Sequence, residues 1–340
     1  MYRTAIIGAS GNRASGHADA YRHVKRGELV AASSRQADKL GAFAEHYGVA
    51  ATYTDYREML GRERLDLIHV NTPPDVRLEI LEAAEAAEVP LVVLEKPLAV
   101  QSEDYLDLVA FAEKSKVKVA INHQLHFHPR RAYLQNLVSA GAIGEVRLID
   151  ASSGMNMAYQ GTHTLQAVAA FNPGARPVSI MGQVGGGQGL ADTPGKHYAP
   201  DALLGNLMFD NGVSALLRCG TNAPRLVSDE RVNVHKRVSV YGATGQVHWS
   251  MWHWETLVDG KLERGEHDYP AEDILGQAAL TEAMFDWLES GTLHPLNLSA
   301  ALQDFHVMLK LYMSALHHRV YTLEDELNKG LIPKLRAALV

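Results

Sequence analysis

The sequence predicts an α/β protein: a doubly wound parallel sheet followed by an α/β domain with a large open, mostly antiparallel sheet. Three observations carry that expectation. Short apolar runs alternate with helical stretches over the first third of the chain, and from about Gly144 the alternation gives way to successive strand-like runs. With 340 residues, 46% hydrophobic and 21% charged, the chain buries a large core and is long enough for two domains.

In order, TAIIGAS reads as a strand, His17–Lys25 as a helix, ELVAASS as a second strand and Gln36–Tyr47 as a second helix. LDLIHVNTP, Asp75–Ala87, PLVVLEKP, Glu103–Lys114 and KVAINH continue the pattern, giving five strands. Strands alternating with helices in this way form a parallel sheet covered on both faces, with ligands at the carboxyl ends of the strands. The later runs are EVRLIDASS, PVSIMGQVG, ALLGNLMF, GVSALLRCG, RVSVYG and GQVHWSM, joined by turn signals such as Asp210-Asn211-Gly212. A helix over Thr164–Phe171 interrupts them, and helical pattern returns after Asp273, with the amphipathic stretch Ala300–His317 expected to pack on the first domain. The domain expectation is 1–124, 125–298 and a C-terminal helix and tail over 299–340.

A formal net charge of -7 without a concentrated basic patch argues against nucleic acid or an anionic membrane as partner. Cys219 is the only cysteine, which excludes a disulfide framework and fits a reducing cytoplasm. The chain opens directly on a strand, and no apolar run reaches membrane-spanning length.

The first strand-to-helix turn, IIGASGNRASGH, places Gly8 and Gly11 where a dinucleotide fold needs a sharp turn and close approach to a pyrophosphate. Its spacing departs from G-x-G-x-x-G, with Ser10 at the second glycine position. At the end of a buried strand, LVVLEKP carries Glu95 and Lys96 into the ligand edge, where two desolvated charges need a reason.

Together the glycine loop closing on Gly16-His17, VNTPP at 70–74, LEKP at 94–97, GAIGEVRLI at 141–149, GTHTL at 161–165 and SALHHRVYTL at 314–323 resemble the Gfo/Idh/MocA family of nicotinamide-dependent oxidoreductases. The resemblance implies a Rossmann domain followed by a substrate domain, with the tripeptide lysine, here Lys96, beside the nicotinamide and the substrate hydroxyl. It also implies a catalytic histidine at His163, in a pattern D-x-G-x-H-x-x-D whose positions here hold Tyr159, Gly161, His163 and Gln166. Both aspartates are replaced. Tyr159 is expected to supply a hydroxyl or to stack on a ring substrate.

The expected catalytic residues are therefore Lys96, His163 and Tyr159. Cofactor contacts are expected from Gly8, Ser10, Gly11, Asn12 and Arg13 in the first turn and from Ser33, Ser34 and Arg35 after the second strand. Further contacts are expected from Asn71, Thr72, Pro73, Glu95, Lys96 and Asn122 at later strand ends. ELVAASSRQ offers an arginine and no acid where an acid would bind a ribose hydroxyl, so NADP is expected in preference to NAD. The expected reaction moves a hydride between nicotinamide and a secondary alcohol or ketone of a sugar, sugar derivative or polyol. Transient-redox glycosidases or lyases, and non-catalytic cofactor-binding regulators, are the alternatives; a regulator has no need of both Lys96 and His163.

His123, His126 and His128 in NHQLHFHP read as a strand-end loop in preference to a metal cluster, and no metal is expected. GGGQG at 185–189 reads as a substrate-side loop, because no lysine-serine or helix follows it. The valines and tryptophans of VSVYGATGQVHWSMWHW are expected on an exposed sheet face, giving a homodimer or a homotetramer through the second domain.

Overall fold

The computed structural model describes residues 1–191, 197–224 and 235–339, and of Asn12 only the backbone. It divides into two compact units. The first comprises Met1–Leu98, Asp107–His128 and Pro270–Leu302, the second Ala99–Leu106, Pro129–Tyr269 and Gln303–Val340. No helix among the described residues is long and apolar enough to cross a membrane.

The first unit is a six-stranded parallel sheet of β1 (Tyr2–Ile7), β2 (Gly27–Ser33), β3 (Ala51–Tyr53), β4 (Leu67–Val70), β5 (Leu91–Leu94) and β6 (Lys118–Ile121) in the order β3-β2-β1-β4-β5-β6. The five strands read from sequence are all present. The sixth, β3, has three residues and is too short to show a period. The first helix runs Asn12–Ala20, five residues earlier than expected, because it starts directly on Gly11 with no side-chain cap to mark it.

One face of this sheet carries two clusters side by side, because Ile6 is the register partner of Ala32 and His69, and Leu67 and His69 are those of Leu91 and Val93. Ile6, Ala14, Ala18, Ala32, Leu40 and Phe43 pack in the first, and Leu67, Leu91, Val93, Leu280, Met284 and Phe285 in the second. Helix Tyr269–Ser290 supplies the last three. Its Phe285 stacks on Tyr2 with centroids 4.5 Å apart and lies so close to Gly27 that a Cβ there would meet it at 2.8 Å. Arg26 donates to Glu282, Asp286 and Glu289 along the same helix, tying it to the start of β2.

In the second unit β7 (Val146–Ser153), β8 (Pro177–Gly185), β9 (Ala202–Phe209), β10 (Ser214–Gly220), β11 (Lys236–Gly242), β12 (Gln246–Ser250), β13 (His253–Val258) and β14 (Lys261–Glu266) form one sheet, ordered β14-β13-β12-β11-β7-β10-β9-β8. Only β7 and β10 pair in parallel; every other neighbour is antiparallel. β13 and β14 were not legible in the sequence, since β14 (KLERGE) is almost wholly exposed and has no apolar alternation.

One expectation is corrected. Val238, Val240, Val247 and Trp249 are buried, not presented on an open face. Trp249 and Trp254 are register partners under helix Pro129–Ser139, whose Arg130 guanidinium lies 4.0 Å from the Trp254 ring centroid and Arg131 guanidinium 5.9 Å from that of Trp249. A guanidinium over an aromatic face is a favourable lid for a sheet. Exposed apolar side chains of this sheet include Val178, Met181, Leu204 and Met208, close together on β8 and β9, besides Tyr241 on β11 and Leu262 on β14.

Candidate active site

The carboxyl edge of the first sheet gathers its residues one ladder step at a time. Asn71 N–H donates to the Ile7 carbonyl at 2.8 Å, Glu95 N–H to Val70 at 3.0 Å and Asn122 N–H to Leu94 at 2.7 Å. Asn71, Glu95 and Asn122 therefore follow three adjacent strands.

Around this edge the first loop folds tightly. Gly8 has φ +85°, and a Cβ on it would stand 2.9 Å from the Asn71 carbonyl oxygen, so both conformation and space require glycine. Gly8 and Ala9 N–H donate to the Ser33 carbonyl at 2.9 and 3.0 Å, and the Ser34 and Ser10 hydroxyls meet at 2.8 Å. Helix Asn12–Ala20 begins on Gly11 with no acid in its first turn, so its opening amides face outward as an anion site. Arg35 follows β2 as an exposed side chain, and Pro73 leads into the single turn Pro74–Val76. The side chain of Asn12 lies outside the described residues.

Lys96 is half-buried, and desolvation by the surrounding protein holds its ammonium down to about 8, with Arg13 and Arg77 pushing the same way and Glu95 pulling back up. The Glu95 carboxylate is 5% exposed. Burial alone would raise its pKa, but Arg13 and His17 outweigh this and hold it well below the usual carboxylate range. Its Oε1 accepts from Asn122 Nδ2 at 2.7 Å and Arg13 Nε at 3.2 Å and lies 3.1 Å from His17 Nε2, while Oε2 accepts from Lys96 N–H at 3.2 Å. Arg77, 1% exposed, donates to the Thr72 carbonyl through Nη2 at 2.9 Å and to the Pro97 carbonyl through Nη1, clamping the two loops together. Of the histidines in NHQLHFHP, His128 Nε2 lies 3.5 Å from Glu272.

Sequence reasoning placed Glu95, Lys96 and Asn122 here but missed His17, His69, Tyr21 and Arg77 as members of the site. His69 carried a signal: a histidine inside the otherwise apolar strand LIHV must find a buried partner. Nothing marked Arg77.

The other expected catalytic residues, Tyr159 and His163, lie in the second unit. A π-helical turn, Met157–Gly161, opens on Asn156, whose Oδ1 accepts from Tyr159 N–H at 3.1 Å, and leads into helix Thr162–Phe171. Such turns recur at functional sites. Gly161 is required because a Cβ would stand 2.5 Å from Met157 Sδ and 2.9 Å from Cys219 Sγ. His163 is buried in the first helical turn, and the Tyr159 ring stacks on His197 at 4.7 Å. Gln166 accepts from the buried Arg131 at 2.8 Å. In the glycine run, the Gln188 and Gly189 amides donate to the Asp201 carboxylate at 3.0 and 2.7 Å, so an internal anion already uses them.

A nicotinamide dinucleotide fits the first unit on the structure's own evidence. The helix start lacks a side-chain cap, Gly8 lets the first loop close onto the Asn71 backbone, and the buried Asn71 Oδ1 and Nδ2 and Thr72 Oγ1 have no hydrogen-bond partner among the described residues.

Comparison with known proteins agrees. Residues 2–123 match the model of the oxidoreductase family with an NAD-binding Rossmann fold, Gfo/Idh/MocA. Among curated relatives, the 1,5-anhydro-D-fructose reductase of Ensifer adhaerens is 30% identical over 145 residues, 42% of this chain and 43% of that protein. The dTDP-3,4-didehydro-2,6-dideoxy-alpha-D-glucose 3-reductase of Streptomyces violaceoruber is 33% identical over 125 residues, 37% of this chain and 36% of that protein. The match thus spans less than half the length of either relative. An oxidoreductase from Agrobacterium radiobacter, solved in complex with NAD+, L-tartaric acid and magnesium, superposes with a TM-score of 0.79 over 95% of this chain and 98% of its own, at 18% identity, a likeness of fold. The first domain, residues 2–123, is thus a Rossmann domain of the Gfo/Idh/MocA type of NAD-binding oxidoreductase.

Proposed function

We propose that the protein is an NAD(P)-dependent dehydrogenase or reductase acting on a secondary alcohol or ketone of a sugar, sugar derivative or polyol. The observation that carries the reading is Lys96, a half-buried ammonium next to a buried carboxylate at the ligand edge of a dinucleotide-type sheet. Relatives named for anhydrosugar and nucleotide-sugar reduction support the substrate class. Gly8, Ser10, Gly11, Asn12 and Arg13 would hold the pyrophosphate, and Ser33, Ser34 and Arg35 the adenosine ribose. Asn71, Thr72, Pro73, Glu95, Lys96 and Asn122 would line the strand ends toward the nicotinamide. When bound, the nicotinamide accepts or returns the hydride. Lys96 steadies the developing alkoxide and orients its oxygen, His163 takes the hydroxyl proton, and Tyr159 contributes a hydroxyl or a ring face to the substrate.

Screening sugars, sugar acids and polyols with both nicotinamides, read by reduced-nicotinamide absorbance, tests the reading. A matched substrate shows stoichiometric nicotinamide conversion. Release of free sugar without any net conversion would replace the reading with transient redox at a bound nicotinamide.

Arg35 is exposed at the end of β2 with no acid beside it in sequence, and this favours NADP. Binding titrations are expected to give tighter NADP than NAD, with Arg35→Ala weakening NADP about tenfold through loss of one charge-assisted contact. Equal affinities in the two proteins would remove Arg35 from the site.

The exposed strip of Val178, Met181, Leu204 and Met208 favours self-association through β8 and β9, as a homodimer or a tetramer built from such dimers. Light scattering at micromolar protein should report at least a dimer, and Met181→Lys with Met208→Lys should shift it to monomer. A wild-type monomer mass would end the idea.

A further inference from the structure

Behind Glu95 a line of buried side chains runs away from Lys96 through the interior of the first unit. His17 Nε2 lies 3.1 Å from Glu95 Oε1, His17 Nδ1 lies 3.0 Å from His69 Nδ1, and His69 Nε2 lies 2.9 Å from the Tyr21 hydroxyl. Both imidazoles are fully buried and Tyr21, partly exposed, forms the outer end.

The distances fix where the protons are. A neutral imidazole has one N–H donor and one acceptor. His17 Nε2 lies 3.1 Å from both Glu95 Oε1 and Asn122 Nδ2; Asn122 spends a hydrogen on Glu95 at 2.7 Å, and an anionic acceptor outweighs a neutral amide donor, so Nε2 carries the hydrogen, which leaves His17 Nδ1 as acceptor. Two bare Nδ1 atoms at 3.0 Å would repel, so His69 Nδ1 carries a hydrogen and His69 Nε2 accepts from the Tyr21 O–H. Every bond in the chain then points toward Glu95. Burial lowers the pKa of both histidines, which keeps this neutral arrangement in place.

We propose that Tyr21, His69 and His17 are positioning residues: a polarised hydrogen-bond chain that fixes the Glu95 carboxylate and, through its bond to the Lys96 amide, sets the charge that Lys96 feels. The proposal rests on the reading of Lys96 as the catalytic amine. The other charges facing the chain are Arg13 and Arg77, with Asp273 beyond His17 and Glu282 near Tyr21. Arg13 alone does not secure Glu95, because its side chain is 41% exposed. The imidazole chain, with the buried Asn122, is the part of the shell that water does not reach.

The test uses the full-length protein with isotope-labelled histidine and long-range proton–nitrogen spectra at neutral pH, His17 and His69 being assigned by their loss in His17→Gln and His69→Gln. His17 is expected as the pure Nε2–H tautomer and His69 as the pure Nδ1–H tautomer. Tyr21→Phe removes the terminal donor and is expected to turn both into tautomer mixtures. In parallel, the pH dependence of Lys96 acylation by an amine-reactive ester, followed by peptide mass spectrometry, gives the lysine's titration. Its midpoint should fall by about one pH unit in His17→Phe and in Glu95→Gln, because the opposite charge that favours the ammonium is loosened or lost. His17→Gln keeps a donor toward Glu95 and should stay near wild type. A wild-type His17 protonated on Nδ1, unmixed tautomers in Tyr21→Phe, or an unmoved Lys96 midpoint in a folded His17→Phe would overturn the proposal. Tyr21→Phe decides the matter if His17→Phe does not fold. Neither readout uses substrate or nicotinamide, so loss of the hydride-transfer reading leaves these results standing, and loss of the chain leaves that reading intact.

Discussion

Replacing Lys96 with alanine is expected to lower turnover about a hundredfold to ten-thousandfold on any substrate the screen identifies, the usual loss when one preorganised donor or general base is removed. Nicotinamide binding and melting temperature should stay near wild type, because the phosphate-facing groups belong to the glycine loop and the helix start. His163→Ala should cost the same order, and the double variant little more than either, as residues acting as one unit are strongly non-additive. Tyr159→Phe measures how much of its role is the hydroxyl. The pH profile carries a sign. With the lysine held down to about 8 and acting as the ammonium that steadies the alkoxide, turnover should be full below that value and fall as pH rises through it, in oxidation and reduction alike. Near-normal turnover in a folded Lys96→Ala protein would end the assignment.

The second large effect is on stability, and it comes from histidines kept neutral by burial. His235, His248, His294 and His306 are each lowered to about 4, burial being the largest cause, and His17 and His69 are lowered as well. Between the unfolded value of about 6.5 and these folded values the unfolded chain binds more protons, so stability rises with pH across that window and is lost as pH falls through it. Above it the contribution is complete. Each fully buried histidine is worth up to about 3 kcal/mol at the low end of the window, taking 1.36 kcal/mol per pKa unit. Thermal melts followed by circular dichroism should be flat from pH 8 to 7 and drop steeply from about pH 6.5 toward 4, by tens of degrees in total. Melts that stay level down to pH 5 would show that these imidazoles are already charged in the folded state.

How much was legible in the sequence depended on whether a feature was local. β1, β4, β5 and β6 are mostly apolar runs, and their alternation with helices made the parallel sheet legible in the sequence. Lys96 was legible because a charge ending such a run has few structural excuses. β3 and the exposed β14 were not, one for brevity and the other for want of apolar residues. The tryptophans were assigned to the wrong surface. Period-two alternation says which residues share a face, but not which face a helix will cover. His17, His69 and Tyr21 were unreadable as a unit for a different reason. They are 52 residues apart at the His17–His69 contact, and only register across β1 and β4 brings them together.

Helix Tyr269–Ser290 bears on the order in which the chain is made. Leu67, Leu91, Val93 and Ala120 are all synthesised before residue 125, yet their apolar cover of Leu280, Met284 and Phe285 leaves the ribosome only after the whole second sheet. During that interval the part of the sheet face over β4, β5 and β6 is bare hydrocarbon. A truncated protein ending after β6 would carry the same exposed surface permanently, and soluble expression of the dinucleotide module alone therefore needs this helix fused back to it, not merely a cut at the end of its last strand.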